Sequence, residues 1–329
     1  MNLSGFDYIL PKELIAQYPL KERDAAQLLV IHRATQKIEH TIFRNVTDYL
    51  RESDSLILND TRVLPSRLIG NRKTGGKVDI LLLAKKQGLT FDALIRPGRV
   101  KLGEKVIFNG GTITAQISGK KEVTFLGCNS DEIYGHGVMP LPPYIKRNFR
   151  EEDRQDYQTV YARHDGSIAS PTAGLHFTRE LLGHIKSRGI QVGFVTLHVG
   201  YSTFKPVTCE DITRHRMEPE YFNIPEPTST LINRTREKGG RVIAAGTTSM
   251  RSLEAGSSGK REGLTDLFIY PGYEFKAVDG LLTNFHLPRT TLFMLTCAFA
   301  GTRFTKTAYR EAIKEKYRFY SYGDAMLII

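Results

Sequence analysis

The sequence predicts an α/β fold interrupted by a small antiparallel β-barrel, and three observations carry that prediction. Apolar strand-like runs alternate with helix-period segments near the start and through the second half of the 329-residue chain. Between Arg67 and Gly127 the helical signals stop, and short β-prone runs recur about every 8 to 12 residues, the spacing of a barrel or sandwich. A proline-rich connection, Met139-Pro140-Leu141-Pro142-Pro143-Tyr144, then closes the block, because consecutive prolines favour extended chain. The expected organisation is a discontinuous α/β catalytic domain of residues 1–66 and 139–329 around an inserted β-barrel domain of residues 67–138.

Taken in order, Leu28 to Arg33 and Ile38 to Phe43 flank a polar link and read as a hairpin. A short helix from about Phe43 to Leu50 leads into the strand Ser55-Leu56-Ile57-Leu58-Asn59-Asp60. The inserted block offers strands at Lys77 to Ala84, Thr90 to Ile95, Lys105 to Phe108, Thr112 to Ile117 and Glu122 to Leu126, separated by Gly75-Gly76, Pro97-Gly98, Gly110-Gly111 and Gly119. Beyond the prolines, helices are expected at Thr178 to Arg188, Thr228 to Lys238, Thr291 to Ala300 and Lys306 to Tyr317. Strands are expected at Ile190 to Val199, Arg241 to Ala245, Leu267 to Tyr270 and Leu281 to Phe285.

Composition narrows the function. The three cysteines, Cys128, Cys209 and Cys297, lack the close pairs of disulfide, zinc or redox motifs. No stretch approaches the roughly 18 to 20 apolar residues of a membrane span, and Met1 to Tyr18 lacks a signal-peptide core, so the cytoplasm is the expected location. A net charge of +11 and a pI near 9.5 favour polyanionic partners.

Small, polar and basic residues cluster where strands are expected to end, the usual ligand edge of an open α/β sheet. Asn59-Asp60-Thr61-Arg62 offers a carboxylate for a proton or a ribose hydroxyl and a guanidinium for a carboxylate or phosphate. Ser170 to Thr178 holds Thr172, Gly174 and His176 ahead of a helix N-terminus that would favour an anionic group. Leu197 to Phe204 carries His198, whose ordinary pKa suits general-base work. Ala245-Gly246-Thr247-Thr248-Ser249-Met250-Arg251 resembles a small-molecule cradle, with Arg251 available for a carboxylate. Tyr270-Pro271-Gly272, Thr283 to Pro288 and Tyr317 to Asp324 offer aromatic faces for adenine or an extruded base, and Asn284 an amide for a base edge. His215 to Glu220 invites a metal reading, but Pro219 would interrupt a helical ligand face, so no metal is expected.

These phrases together resemble the S-adenosylmethionine:tRNA ribosyltransferase-isomerase family of queuosine biosynthesis. The likeness runs from Phe6-Asp7-Tyr8-Ile9-Leu10-Pro11 through Leu58 to Pro65, Pro171 to Phe177, Gly246-Thr247-Thr248, Tyr270-Pro271-Gly272 and Thr283 to Pro288 to the ending Tyr317 to Ile329. It implies a small β-barrel set into an α/β domain. It also implies an enzyme that moves and isomerises the ribosyl part of S-adenosylmethionine onto 7-aminomethyl-7-deazaguanine at the tRNA wobble position. The products would be epoxyqueuosine-tRNA, adenine and methionine. S-adenosylmethionine is then a co-substrate, no prosthetic group is expected, and the protein is expected to be monomeric.

The same resemblance places His176 and His198 nearest the proton transfers, with Asp60 a further acid-base or ribose-binding candidate. Thr172, Gly174, Gly246, Thr247 and Thr248 would line the S-adenosylmethionine pocket, and Arg251 would meet its carboxylate. Asn284, Phe285 and His286 would face the tRNA base, while Arg62 and Lys205 would touch phosphates. Ala173, Phe177, Gly200, Thr203, Glu220, Tyr270 and Asp324 complete the expected substrate-binding set. Two positions depart from the family pattern: Ser202 stands at a usual glycine and Glu218 at a usual histidine. The alternatives are a paralogue acting on another base, which would release adenine without modifying tRNA, and a non-catalytic tRNA-binding protein, which would leave S-adenosylmethionine intact.

Overall fold

The computed structural model describes residues 1–201 and 206–329. In chain order its first strands are β1 (Gln27–His32), β2 (Lys37–Ile42), β3 (Ser55–Asn59) and β4 (Thr61–Val63). The barrel strands follow: β5 (Arg67–Arg72), β6 (Lys77–Lys85), β7 (Thr90–Arg96), β8 (Lys105–Phe108), β9 (Ile113–Gly119) and β10 (Glu122–Leu126). Next come α1 (Ser130–His136), α2 (Asp153–Asp156), β11 (His164–Ser167), α3 (Arg179–Ser187), β12 (Gln191–Leu197), β13 (Glu220–Asn223) and α4 (Glu226–Glu237). The chain continues with β14 (Val242–Ala245), α5 (Thr247–Gly256), β15 (Glu262–Thr265), β16 (Gly280–Asn284), α6 (Thr291–Ala300), α7 (Thr302–Lys314) and β17 (Ala325–Ile328).

A mixed sheet forms the centre, in the order β15-β13-β12-β3-β14-β16-β17-β1-β2. Its middle strands β12, β3, β14 and β16 run parallel, so their carboxyl ends share one edge. β3, β14, β16 and β17 are buried throughout, as continuous apolar runs covered on both faces should be. Period-two alternation sorts their side chains into two cores. Ile57, Ala244 and Leu281 pack with Met250, Phe293 and Tyr309 on one face. Leu56, Leu58, Ala245 and Leu282 pack with Phe43, Phe177, Leu181 and Ile185 on the other. Behind the sheet's opposite edge, the buried Asp54 carboxylate accepts from the backbone N–H groups of Arg51 and Arg241 and from the Arg241 guanidinium (2.6 Å to Nη2). Burial works against its charge, yet these bonds hold its pKa below the usual carboxylate range.

The inserted strands close into a barrel, β10-β7-β6-β5-β8-β9, around its own core of Leu68, Ile80, Phe91, Val106, Phe108 and Phe125. Where it leaves and rejoins the α/β part, Arg67 and Val138 exchange backbone hydrogen bonds of 3.2 and 2.8 Å.

Some local expectations shift. Leu267 to Tyr270 is no strand, and the edge strand is β15, paired with β13. The apolar residues of 267–270 instead anchor an irregular segment to the core, and the Leu267 carbonyl accepts from Arg251 rather than from a ladder. The run Phe43 to Leu50 winds as a 3₁₀ helix over Phe43–Tyr49. After the barrel strands, α1 is a helix for which no element was expected, started by a capping box of Asn129 and Glu132. No helix among the described residues is long and apolar enough to cross a membrane.

Candidate active site

Four of the clusters expected from the sequence lie at one edge because their strands are parallel neighbours. Asn59-Asp60 ends and follows β3, His198 to Gly200 follows β12, Gly246 to Thr248 follows β14, and Asn284 to His286 ends and follows β16. A narrow, solvent-open cleft lies there. One wall is Ser170 to Ala173 and Val199; another is Gly246, Thr247 and Thr248 at the start of α5. Thr283, Asn284 and His286 lie along it, and Tyr144, Tyr320 and Leu292 supply apolar surface.

Gly246 turns the chain from β14 into α5 at φ 94° and ψ 150°, a conformation that is essentially glycine's alone. The ten-residue α5 therefore begins at the cleft wall, where unsatisfied helical N–H groups favour an anionic group. The hydroxyls of Thr248 and Ser170, one on each of these walls, are buried without a protein hydrogen-bond partner. A buried hydroxyl left without any partner costs about 1 to 3 kcal/mol, so both groups favour a ligand or water that can pair with them.

Asn284 is fixed at its floor. Its Oδ1 accepts from the Thr172 hydroxyl at 2.9 Å, and its Nδ2 donates to His176 Nε2 at 3.1 Å. His176 itself is not among the cleft-lining residues; it lies behind Asn284, its ring tilted against that of Phe43. Burial lowers its pKa to about 4, so the ring is neutral and Nε2 can accept. His286 is likewise neutral, pushed by burial to about 3, with Nε2 2.8 Å from the Thr283 hydroxyl. Its backbone is pinned by Tyr309, which accepts from its N–H at 3.0 Å, and by Tyr8, whose hydroxyl donates to its carbonyl.

A second polar group surrounds the end of β12. His198 Nδ1 is 2.8 Å from the Thr61 hydroxyl, and its ring stacks on Tyr221. Asp60, 2% exposed, accepts from Thr196 at 2.7 Å and has His164 Nε2 at 3.6 Å. Burial and the neighbouring His164 lower the His198 pKa, while Asp60 opposes the shift. His164 carries no sequence signal, and neither do Tyr157 and Tyr144, which line the cleft from the connection after the barrel.

Other expected residues are placed differently. Arg251 pairs with Glu220 at 6% and 3% side-chain exposure, Glu220 also accepts from the Gly200 N–H at 2.8 Å, and Arg251 Nη2 remains buried without a partner. Phe285 is core, packed on Tyr309, Tyr317 and Phe319, and Phe177 is core against Phe43. Tyr270 packs on Phe268. Asp324 is buried, accepting from the N–H groups of Gln27 and Arg318. Gly174 makes room for the Tyr161 hydroxyl, which a Cβ would meet at 2.1 Å, rather than for a ligand. Arg62 is exposed, 3.6 Å from Asp165. Ser202, Thr203 and Lys205 lie outside the described residues.

A family model described as queuosine biosynthesis protein matches residues 3–328. The chain belongs to this family. Proteins named S-adenosylmethionine:tRNA ribosyltransferase-isomerase from Sulfurihydrogenibium and Caldanaerobacter subterraneus are 51% and 49% identical to it, each over the whole of both chains. A crystal structure titled S-adenosylmethionine tRNA ribosyltransferase, from Thermotoga maritima, superposes with a TM-score of 0.58 at 38% identity, covering 99% of this chain and all of that one. Membership makes the chain a transferase of queuosine biosynthesis, and the α/β fold with its closed barrel is the fold expected of the family.

Proposed function

We propose that the protein transfers and isomerises the ribosyl moiety of S-adenosylmethionine onto 7-aminomethyl-7-deazaguanine at the wobble position of tRNA, giving epoxyqueuosine-tRNA, adenine and methionine. The observation that carries this reading is the cleft at the strand ends, where unpartnered hydroxyls, a helix N-terminus and aromatic surface meet. Those groups match the three parts of S-adenosylmethionine. Thr248 and Ser170 suit ribose hydroxyls, Tyr320 and Tyr144 suit adenine, and the start of α5 suits the carboxylate.

A sulfonium withdraws electron density from the adjacent C5′–H bonds, so removal of one proton gives an ylide that attacks and bonds to the modified base; adenine then leaves as the ribose ring opens, and methionine as the epoxide closes. His198 with Asp60, Thr61 and His164 supplies the acid-base group for these transfers. His176 acts through Asn284, whose amide it holds in one orientation toward the base. His286, held by Thr283, is the second fixed group beside that base, and Arg62 is free to meet a phosphate once Asp165 is displaced. On this reading residues 67–138 form a separate domain within the catalytic one of 1–66 and 139–329, and the enzyme works in the cytoplasm as a monomer without a prosthetic group.

The test is to incubate the purified protein with S-adenosylmethionine and tRNA carrying 7-aminomethyl-7-deazaguanine, following adenine, methionine and nucleoside mass together. Equal release of both small molecules with formation of epoxyqueuosine is expected. Intact S-adenosylmethionine beside bound tRNA would overturn the reading.

A further inference from the structure

The chain's positive charge is concentrated. The barrel strands and their connections, residues 67–126, hold twelve lysines and arginines against four carboxylates, which is eight of the eleven net positive charges in fewer than a fifth of the residues. Strand register then gathers them at one end. Arg72 lies opposite Val106 and Lys105 opposite Gln116, and the Ala93 N–H donates to the Lys121 carbonyl, so three connections converge. The β5–β6 turn brings Lys73 and Lys77, the β7–β8 connection Arg96, Arg99, Lys101 and Lys105, and the β9–β10 turn Lys120 and Lys121. All eight are exposed, and among the described residues none pairs with a carboxylate.

Nearby acids do not neutralise this end, because each is already held by another cation: Glu104 by Arg72 at 3.1 Å, Asp79 by Arg67 at 2.6 Å, and Glu122 and Asp92 by Lys86 at 2.7 and 2.9 Å. Among the described residues Leu102 is the one large hydrophobic exposed there, at 74%, so the surface lacks the apolar centre of a protein–protein interface. Eight exposed cations on turns and strand ends, without a shaped pocket, fit the repeating charge of a nucleic-acid backbone.

We infer that this end of the barrel docks the phosphate backbone of tRNA away from the modified base. The inference rests on tRNA being the substrate and assigns the barrel a role in holding it. The insertion contributes affinity, whereas the cleft performs the chemistry.

The test compares wild type with a variant carrying Lys73→Gln, Arg99→Gln, Lys101→Gln and Lys120→Gln, all at exposed turn positions. Affinity for tRNA is measured across a salt series, and steady-state kinetics are measured for both substrates. The variant is expected to show at least a tenfold rise in KM for tRNA, a salt dependence shallower by about one for each phosphate no longer neutralised, and an unchanged KM for S-adenosylmethionine. An unchanged tRNA KM and salt slope would overturn the inference while leaving the ribosyl-transfer reading intact. If wild type binds tRNA but releases no adenine, that reading fails, and the salt slopes still decide this one. Unchanged tRNA affinity with lost retention on phosphatidylglycerol vesicles would assign the patch to a lipid surface and overturn it. Should the fourfold variant fail to fold, Lys101→Glu with Lys120→Glu provides the same comparison.

Discussion

Asn284 Nδ2 donates to His176 Nε2 across 3.1 Å while Asn284 Oδ1 accepts from Thr172, so one buried histidine decides which end of the amide each neighbour meets. His176→Ala is therefore expected to release the amide and lower kcat/KM for tRNA about 10- to 100-fold, with a smaller effect on the KM for S-adenosylmethionine. His176→Gln, which can still accept at a similar position, should recover part of the loss. Adenine-release kinetics on both variants check this; equal, undiminished rates would sink it.

The two buried histidines also set the acid limit of stability. Below pH 6.5 the unfolded chain protonates each ring, but the folded chain resists until about pH 4 at His176 and about pH 3 at His286. The unfolded state thus binds more protons, and stability falls as pH drops through that window and returns as pH rises. Each site should cost about 2 kcal/mol at pH 5 relative to pH 7. Urea midpoints at the two pH values should differ less in His286→Gln than in wild type; an identical acid loss would show that His286 is protonated in the fold.

Gly246→Ala should cost about 1 to 3 kcal/mol, because φ 94° with ψ 150° excludes a Cβ. Any relaxation moves the first turn of α5, so the KM for S-adenosylmethionine should rise while tRNA affinity holds. A melting curve and the two KM values separate strain from weakened binding.

Glu220→Ala should destabilise by about 3 to 5 kcal/mol by leaving Arg251 buried and uncompensated. The double change with Arg251→Met should be milder than Glu220→Ala alone. Denaturant unfolding checks both, and a single-variant cost below about 1 kcal/mol would mean that water reaches the pair.

Much of this site was readable in the sequence because each strand-end cluster breaks an apolar run with glycine, hydroxyl or amide residues, as at Asn59-Asp60 and Gly246 to Thr248. What stayed hidden depends on distance along the chain. Arg251 reads as a free guanidinium until Glu220, 31 residues earlier, is brought beside it. Phe285 and His286 are neighbours in one phrase, yet the pleat and the turn after β16 send one into the core and the other to the cleft. Leu267 to Tyr270 has the composition of a strand, but a ladder needs a partner edge, and β13 had already taken β15. His164 is found only through its pairing with Asp60.

The position of β17 between β16 and β1 has a consequence for synthesis. A growing chain can complete the barrel once residue 126 has emerged, since all its strand pairs are local to one stretch. The large sheet cannot join its two halves through a continuous ladder until Ala325–Ile328 arrives, so until then β1 and β2 are held to the rest only by core packing. The cleft floor, which shares β16 with that last strand, is thus among the final features of the molecule to form.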